Sequence, residues 1–185
     1  MAKIREALKT DLERVEYICK MTADEKSINE ELAGKITSAI YSTYYIKEES
    51  ENCFVLEDNS VVEGYILCAE NYKAFSKKFR TIYAEDVKKL DKKSGLFAKL
   101  LPIPYIIFGK KYPAHLHINL LPEYQGKGYG TDLINTLIKS LQQKGIKGVM
   151  LMASKENTGA IKFYKRNGFK IIISAFGGVV MGKIL

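Results

Sequence analysis

A glycine-rich segment, Gln125-Gly126-Lys127-Gly128-Tyr129-Gly130, follows a β-rich run and precedes an amphipathic stretch. Glycines at alternate positions let the backbone turn tightly and bring several N–H groups close to one ligand. The dipole of a following helix favours anionic oxygens at the same place. The segment therefore predicts a phosphate-binding loop, and a glycine-rich turn without a ligand is the alternative.

The residues around this loop do not fit two common nucleotide-binding motifs. A Walker A loop needs G-x-x-x-x-G-K-[ST], and no such run occurs in the sequence. A dinucleotide fingerprint needs a third glycine where Thr131 stands, and an acidic residue about twenty positions on, where Met150 stands. A phosphate at this loop must therefore be held in another way.

The two histidines of the chain lie two residues apart, in a run that alternates like a strand from Ala114 to Leu121. His115, His117 and Asn119 share one face of that strand. An imidazole has an ordinary pKa of about 6.5, which suits proton acceptance near neutral pH. We predict His117, and after it His115, as proton acceptors; hydrogen-bonded structural histidines and a proton relayed by water are the alternatives. No third ligand accompanies the pair, so we predict no metal site.

A further candidate group lies on a predicted helix from Asn157 to Arg166, which Asn167 and Gly168 end. Helical spacing places Asn157, Ala160 and Tyr164 on one face of this helix. Asn157 also suits a helix N-cap, and Tyr164 also suits a core position beneath a sheet. Both interpretations stay open at this point.

The elements that position these residues follow from hydrophobic periodicity and turn residues. The sequence predicts strands at 2–7, 53–56, 61–69, 114–121, 149–153, 170–175 and 179–185, and helices at 11–23, 28–40, 84–90, from the glycine loop to 145, and 157–166. We therefore predict one α/β domain over residues 1–185, with a mixed central sheet of about seven strands flanked by helices. Residues 71–113, before the fourth strand, read as a partly helical insertion or substrate-side lobe.

Composition and charge limit the partners. The chain has 185 residues and a formal charge of +8, which attracts anions such as nucleic acid, an acidic membrane surface or a polyphosphate cofactor. A solvated helical face explains the lysines of residues 73–111 at least as well as a binding patch, so nucleic-acid binding is not predicted. No apolar run reaches the ~20 residues of a membrane span, so we predict no membrane partner.

The amino terminus and the cysteines bear on location. Lys3, Arg5 and Glu6 leave no apolar stretch for a signal peptide, so we expect a cytoplasmic protein. The three cysteines are odd in number, widely spaced and outside any C-x-x-C pattern. We therefore expect reduced structural thiols.

Two motifs together resemble a known family. The run from Leu121 to Gly130 resembles the Gln/Arg-x-x-Gly-x-Gly/Ala signature of the Gcn5-related N-acetyltransferases, with Gln125, Gly128 and Gly130 at its defining positions. The run from Asn157 to Phe169 resembles the second motif of that family at its Asn, Ala, Tyr and Gly-Phe positions. The similarity covers about residues 114–169, and the elements upstream fit the family plan more loosely.

The resemblance implies acetyl-coenzyme A as cofactor, and transfer of its acetyl group to a primary amine of a small molecule or protein, by direct attack in a ternary complex. It implies that the loop backbone binds the pyrophosphate and that the preceding strand end pairs with the pantetheine arm. The implied coenzyme-binding residues are Leu120, Leu121, Gln125, Gly126, Lys127, Gly128, Tyr129, Gly130, Asn157 and Ala160. It further implies that Tyr164 protonates the coenzyme sulfur. Many family members carry a glutamate where this chain offers histidines, so a base is implied by location only.

The alternative is a non-catalytic acyl-coenzyme A-binding or sensor module of the same fold. The titratable side chains of Tyr164, His115 and His117 favour the enzyme, because a pure binder needs none of them. The sequence does not indicate which amine is the acceptor. The aromatic residues Tyr41, Tyr44, Tyr45 and Phe108 suit an acceptor cleft, a homodimer surface or the core.

Overall fold

The computed structural model describes residues 2–175 and 177–185. The strands in this part of the chain are β1 (Lys3–Glu6), β2 (Phe54–Asp58), β3 (Val61–Ala69), β4 (Ala114–Leu120), β5 (Gly148–Ser154), β6 (Lys170–Ala175) and β7 (Gly178–Ile184). They form one sheet in the order β1-β2-β3-β4-β5-β7-β6, in which β4 and β5 are parallel and all other neighbours antiparallel. The predicted α/β fold with a mixed sheet of seven strands is confirmed.

Helices cover both faces of this sheet. Those in the described residues are α1 (Leu12–Met21), α2 (Glu25–Asn29), α3 (Glu31–Tyr41), α4 (Thr43–Glu48), α5 (Tyr72–Lys78), α6 (Ala84–Leu90), α7 (Lys92–Leu100), α8 (Ile103–Phe108), α9 (Tyr129–Gln143) and α10 (Thr158–Arg166). The glycine loop follows β4 and leads into α9, which crosses to the parallel strand β5. This strand-loop-helix-strand unit is the part that the sequence predicts most closely.

The predicted helix over residues 28–40 is in fact two helices, because Glu30 has extended backbone angles (φ −106°, ψ 122°). The break lets α2 fold back on α3, so that the hydroxyls of Ser27 and Thr37 lie 2.8 Å apart. In one straight helix these residues would be about 15 Å apart. The expectation of a single helix was therefore wrong; the second of the two helices, α3, ends at Tyr41, and Tyr44 and Tyr45 lie in the next helix, α4.

Residues 71–113 are more helical than predicted. They contain α5, a π-helical turn (Phe79–Tyr83), α6, α7 and α8, of which only α6 was predicted as a full helix. Aromatic side chains from α5, the turn and α8 are buried against the sheet; they are Phe75, Phe79, Tyr83 and Tyr105. That this segment is an insertion or a substrate-side lobe stays a prediction.

The sheet separates two hydrophobic clusters. One cluster packs α9 and α10 against the face of the sheet that carries Leu116 and Ile118 of β4. The other packs α1, α3, α4, α5 and α8 against the opposite face. His115 and His117 point to this second face, as the alternation of β4 predicts.

Candidate functional site

The centre of the sheet is open at one end, because β4 and β5 pair only at Ala114–Val149 and His115–Met150. Beyond His115, the remainder of β4 pairs with β3 alone, while β5 continues along β7. Backbone groups of residues 117–120 on the β5 side therefore have no strand partner within residues 2–175 and 177–185. An extended ligand with amide groups could pair with this edge as a strand does.

The glycine loop begins where this open edge ends. The chain leaves β4, makes one 3-10 turn (Pro122–Tyr124), and reaches α9 through Gln125 to Gly128. Backbone N–H groups of residues 126–130 have no hydrogen-bond acceptor in the described part of the chain. Together with the positive end of the helix dipole, these five successive donors form a cradle for anionic oxygens.

The glycines of this cradle meet two different needs. Gly126 and Gly128 have φ of +72° and +93°, and a Cβ added at either would meet no atom within 4 Å. At Gly130 a Cβ would lie 3.1 Å from Cζ of Phe163, so this glycine serves close packing of α9 on α10. The open space at the first two glycines is where oxygens of a bound pyrophosphate fit.

Side chains of the loop mainly support its shape. The amide Nε2 of Gln125 donates to the carbonyl of Leu120 at 2.8 Å, which ties the loop to the end of β4. Nζ of Lys127 lies 5.8 Å from the centre of the Tyr124 ring. The backbone N–H of Leu121 donates to the carbonyl of Glu63 at 3.0 Å, and the Leu121 carbonyl accepts the N–H of Tyr124 at 2.9 Å, so both backbone groups of Leu121 already have partners within the protein.

The second motif lies on α10. Oδ1 of Asn157 accepts the N–H of Ala160 at 2.9 Å, so Asn157 is the N-cap of this helix. The N-cap role, which the sequence left open as an alternative, is thus present. The side-chain amide nitrogen of Asn157 stays available for a ligand. Ala160 packs beside the cluster under α9.

Tyr164 is buried on α10, with 8% of its surface exposed, and packs against Phe163 and Phe169. Its hydroxyl makes no hydrogen bond to any described residue. Burial raises the pKa of Tyr164 to about 12, because the phenolate would lose its hydration. The hydroxyl therefore holds its proton at neutral pH and can donate a hydrogen bond to a ligand.

His117 lies on the opposite face in an aromatic site. Its ring stacks on Tyr41 with centroids 5.6 Å apart, and its Nδ1 is 3.3 Å from the hydroxyl oxygen of Tyr65. That oxygen accepts the side-chain amide of Asn119 at 3.0 Å and also contacts Cys19. Burial lowers the pKa of His117 to about 4, so its imidazole is neutral at pH 7.

His115 is more enclosed than its neighbour, and 0% of its surface is exposed. Its ring stacks on that of Tyr105, with the ring centroids 3.9 Å apart, and lies edge-on to Phe75. Its Nε2 is 3.1 Å from the hydroxyl oxygen of Tyr45. Nδ1 has no partner among the described residues. The sequence places both histidines on one face, but these contacts separate His115 from any substrate that does not displace an aromatic ring.

We expect His115 to make the fold sensitive to acid. Burial lowers its pKa from 6.5 to about 3, so between these values the unfolded chain binds a proton that the folded chain does not. Above pH 6.5, His115 makes its full contribution to the free energy of unfolding. Below pH 6.5 that contribution falls by about 1.4 kcal/mol per pH unit. The free energy of unfolding of His115→Gln, measured by urea titration between about pH 6 and pH 4, should change less steeply with pH than that of the native protein.

Tyr45→Phe is the control for this measurement. It removes the hydroxyl that faces His115 but leaves the titrating imidazole, so it should keep the native slope. Equal slopes for His115→Gln and the native chain would show that His115 titrates normally in the folded protein.

Among the described residues, no group of three or more His, Cys, Asp and Glu side chains is placed to hold a metal ion. Within residues 2–175 and 177–185, no helix is long and apolar enough to cross a membrane. The three cysteines in this part of the chain, Cys19, Cys53 and Cys68, are free thiols and buried.

A curated protein resembles this chain over more than two thirds of the chain's length. It is 28% identical over 131 residues to the uncharacterised N-acetyltransferase MJ1207 of Methanocaldococcus jannaschii, which is 70% of this chain and 44% of that protein. The chain thus spans less than half of this curated relative.

Solved structures resemble it in fold. The crystal structure of SsHAT superposes with a TM-score of 0.88 at 28% identity, covering 99% of this chain and 98% of that one. The PaiA N-acetyltransferase of Thermoplasma acidophilum in complex with coenzyme A superposes with a TM-score of 0.67 at 19% identity, covering 100% and 99%. At that identity the second likeness concerns the fold alone.

The family profile of the acetyltransferase (GNAT) family matches residues 15–169. The match begins far upstream of the two motifs and includes α1, α3 and the helices of residues 71–113. It ends at Phe169, where the second motif also ends. The open edge of β4, the cradle and the matched profile lead to one conclusion: the chain belongs to the GNAT family of acetyltransferases.

Proposed function

We propose that this protein transfers the acetyl group of acetyl-coenzyme A to a primary amine, of a small molecule or a protein, by direct attack in a ternary complex. The observation that carries the proposal is the row of five unpaired backbone N–H groups at residues 126–130, directly after the open edge of β4. The row of N–H groups suits a pyrophosphate, and the open edge of β4 suits an extended chain with amide groups. In coenzyme A a pyrophosphate and such a chain lie next to each other.

The residues proposed to hold the coenzyme lie on β4, on the glycine loop that follows it and at the start of α10. N–H groups of Gly126 to Gly130 bind the pyrophosphate, and the backbone of β4 up to Leu120 and Leu121 pairs with the pantetheine arm. Asn157, at the start of α10, is placed to offer its amide nitrogen, since its oxygen is used as the N-cap. Bound acetyl-coenzyme A supplies an acetyl group activated as a thioester.

Tyr164 is proposed as the acid of the reaction. A thiolate that leaves during acyl transfer has an ordinary pKa of about 8.5, well below the value of about 12 for the buried phenol. The phenol thus stays protonated over the working pH range and can hydrogen bond to the sulfur as negative charge develops there. Nearby packing against Phe163 and Phe169 fixes its ring.

His117 rather than His115 is proposed to receive the proton of the amine, directly or through water. When Nδ1–H of His117 donates to the Tyr65 oxygen, Nε2 is left with a lone pair that can accept a proton. A pKa of about 4 makes this a weak base, so the acceptor must arrive mostly as a neutral amine. His115 is proposed as a positioning residue that holds β4 against Tyr45 and Tyr105.

We expect His117→Ala to lower kcat/KM by about tenfold, a small loss because a weak base contributes little. In the native enzyme, kcat/KM should rise with pH as the amine loses its proton, with no inflection near 6.5, since His117 titrates near 4. Initial rates across the pH range would test both points. In His117→Asn the new side chain can still hydrogen bond to Tyr65 but cannot take up a proton. Native kcat/KM in this variant would make His117 a positioning residue instead.

The proposal is tested by incubating the protein with acetyl-coenzyme A and three classes of amine: a linear polyamine, an arylalkylamine and a lysine peptide. Mass spectrometry should detect an amide product with at least one of them, together with release of the free thiol. Coenzyme binding without turnover of any amine would favour the alternative, a non-catalytic acyl-coenzyme A sensor. Absence of coenzyme binding would refute both.

A further inference from the structure

Large apolar side chains point away from the protein on α7 and α8. On α7, Leu96, Phe97 and Leu100 are 61%, 50% and 50% exposed. The inward side of this helix carries the small residues Gly95 and Ala98, and a Cβ at Gly95 would lie 2.3 Å from Lys88. An ordinary surface helix turns its large apolar residues to the core, so the orientation of α7 is the reverse of the usual one.

The following helix repeats the pattern. Ile103, Ile106 and Ile107 of α8 are 42%, 43% and 64% exposed, while Tyr105 between them is buried. These isoleucines lie at spacings of three and four residues, which puts them on one side of the helix. Two consecutive helices thus present apolar stripes to the outside, and such stripes on a folded protein indicate an interaction surface.

The segment that carries these stripes is rich in positive charge. From Lys92 to Pro122 the sequence contains five lysines and no aspartate or glutamate. A cleft of about 870 Å³ adjoins the stripe of α8, since Ile106 and Ile107 line it together with the α5 segment. Five cations line the cleft and no acidic residue does; they are Lys73, Lys77, Arg80, Lys99 and Lys110.

The cations of the cleft are available to a ligand. Lys99 pairs with Glu85, whereas the other four have no ion-pair partner in the described ranges. The hydroxyl of Ser76, a residue 5% exposed that also lines the cleft, makes no hydrogen bond within those ranges. An anionic group in the cleft would meet four unpaired cations, and its apolar part would lie against isoleucines.

We propose that α7, α8 and the adjoining cleft form a docking surface for an anionic lipid membrane, on which the protein binds peripherally. Apolar side chains of the two helices enter the interface, the lysine stems extend along the apolar surface, and the cationic heads meet the lipid phosphates. The sequence-based expectation of no membrane partner rested on the absence of a spanning segment, and a peripheral surface does not need one.

The same observations argue against a second copy of this chain as the occupant. In a symmetric dimer the same patch meets itself, so lysines would face lysines. The segment from Lys92 to Pro122 has no acidic residue that could offset this repulsion. A partner of opposite charge satisfies the surface, and an anionic membrane also accommodates the exposed apolar stripes.

The test is flotation of the full chain with vesicles of equal parts phosphatidylglycerol and phosphatidylcholine, and with vesicles of phosphatidylcholine alone. We expect binding to the first and not the second, weakened by added salt. Replacing three cations together, Lys77→Gln, Arg80→Gln and Lys110→Gln, should lower the partition coefficient by roughly a hundredfold. The double variant Ile106→Thr and Ile107→Thr should lower it by about tenfold.

Matched controls come from residues that belong neither to α7 and α8 nor to the cleft. Ile171 and Ile173 of β6 are each 45% exposed, so Ile171→Thr with Ile173→Thr removes exposed apolar surface of a similar size elsewhere. Lys139→Gln, Lys165→Gln and Lys170→Gln remove the same charge. Both controls should bind vesicles as the native chain does. Circular dichroism should show that all variants are folded.

Several outcomes would overturn the proposal. These are absence of vesicle binding, equal losses in the control variants, and a dimer that Ile106→Thr with Ile107→Thr converts to a monomer in sedimentation velocity. Binding of a single-stranded oligonucleotide that depends on the cations but not on the isoleucines, without vesicle binding, would assign the cleft to nucleic acid instead.

Discussion

Replacing Gly128 by leucine should raise the dissociation constant for acetyl-coenzyme A by at least about a hundredfold, because two or more charge-assisted hydrogen bonds are lost. The φ of +93° at this position is one that side chains rarely adopt, and the new side chain would occupy the open space in front of the N–H cradle. Isothermal titration calorimetry with the native and variant proteins measures the change directly.

Gly145→Leu is the matched control for this variant. Gly145 ends the same helix, α9, with φ of +71° and no atom within 4 Å of an added Cβ. Both substitutions should cost about 1–2 kcal/mol of unfolding free energy from backbone strain, but only the one at Gly128 should affect the coenzyme. Native affinity in Gly128→Leu would place the coenzyme elsewhere and remove the observation on which the proposed function rests.

Tyr164→Phe should lower kcat by roughly a hundredfold while the dissociation constant for acetyl-coenzyme A stays near that of the native protein. The substitution keeps the ring that packs on Phe163 and Phe169, and the lost hydroxyl has no protein partner within the described ranges. The effect should therefore appear in the reaction and not in stability. Steady-state rates and calorimetry on the same preparation separate the two.

Tyr112→Phe controls for the loss of a buried hydroxyl. Tyr112 is 8% exposed, as Tyr164 is, but belongs to the hydrophobic cluster on the other face of the sheet. It should retain native kcat. If Tyr164→Phe also kept native kcat, Tyr164 would be a core residue, which is the alternative that the sequence left open.

The unit from β4 to α10 could be predicted from the sequence because its signals are local. Glycines at 126 and 128 mark the loop, and apolar residues recur along α9. Asn157 marks the start of α10, because it belongs to the second motif and is also the N-cap of that helix. The turn of the β2–β3 hairpin is equally local, since Asn59 and Ser60 take positive φ there. Short-range preferences suffice for all of these elements.

Other features depend on contacts between distant residues and could not be predicted. The break at Glu30 is stabilised by a contact of Ser27 with Thr37 across two helices. Helices α7 and α8 lack the usual inward apolar pattern, so periodicity did not reveal them. The burial of His115 needs Phe75 and Tyr105, which come from segments without a motif.

The divergence of β4 from β5 has a mechanical consequence. Among the described residues, only two residue pairs join strands β1 to β4, on one side of the β4–β5 seam, to strands β5 to β7 on the other side. This seam is thus the place where the sheet bends most easily, because it has the fewest hydrogen bonds between neighbouring strands. A molecule lying along both edges of the seam would stiffen the whole protein, so under the proposed function the rigidity of the protein would depend on whether acetyl-coenzyme A is bound.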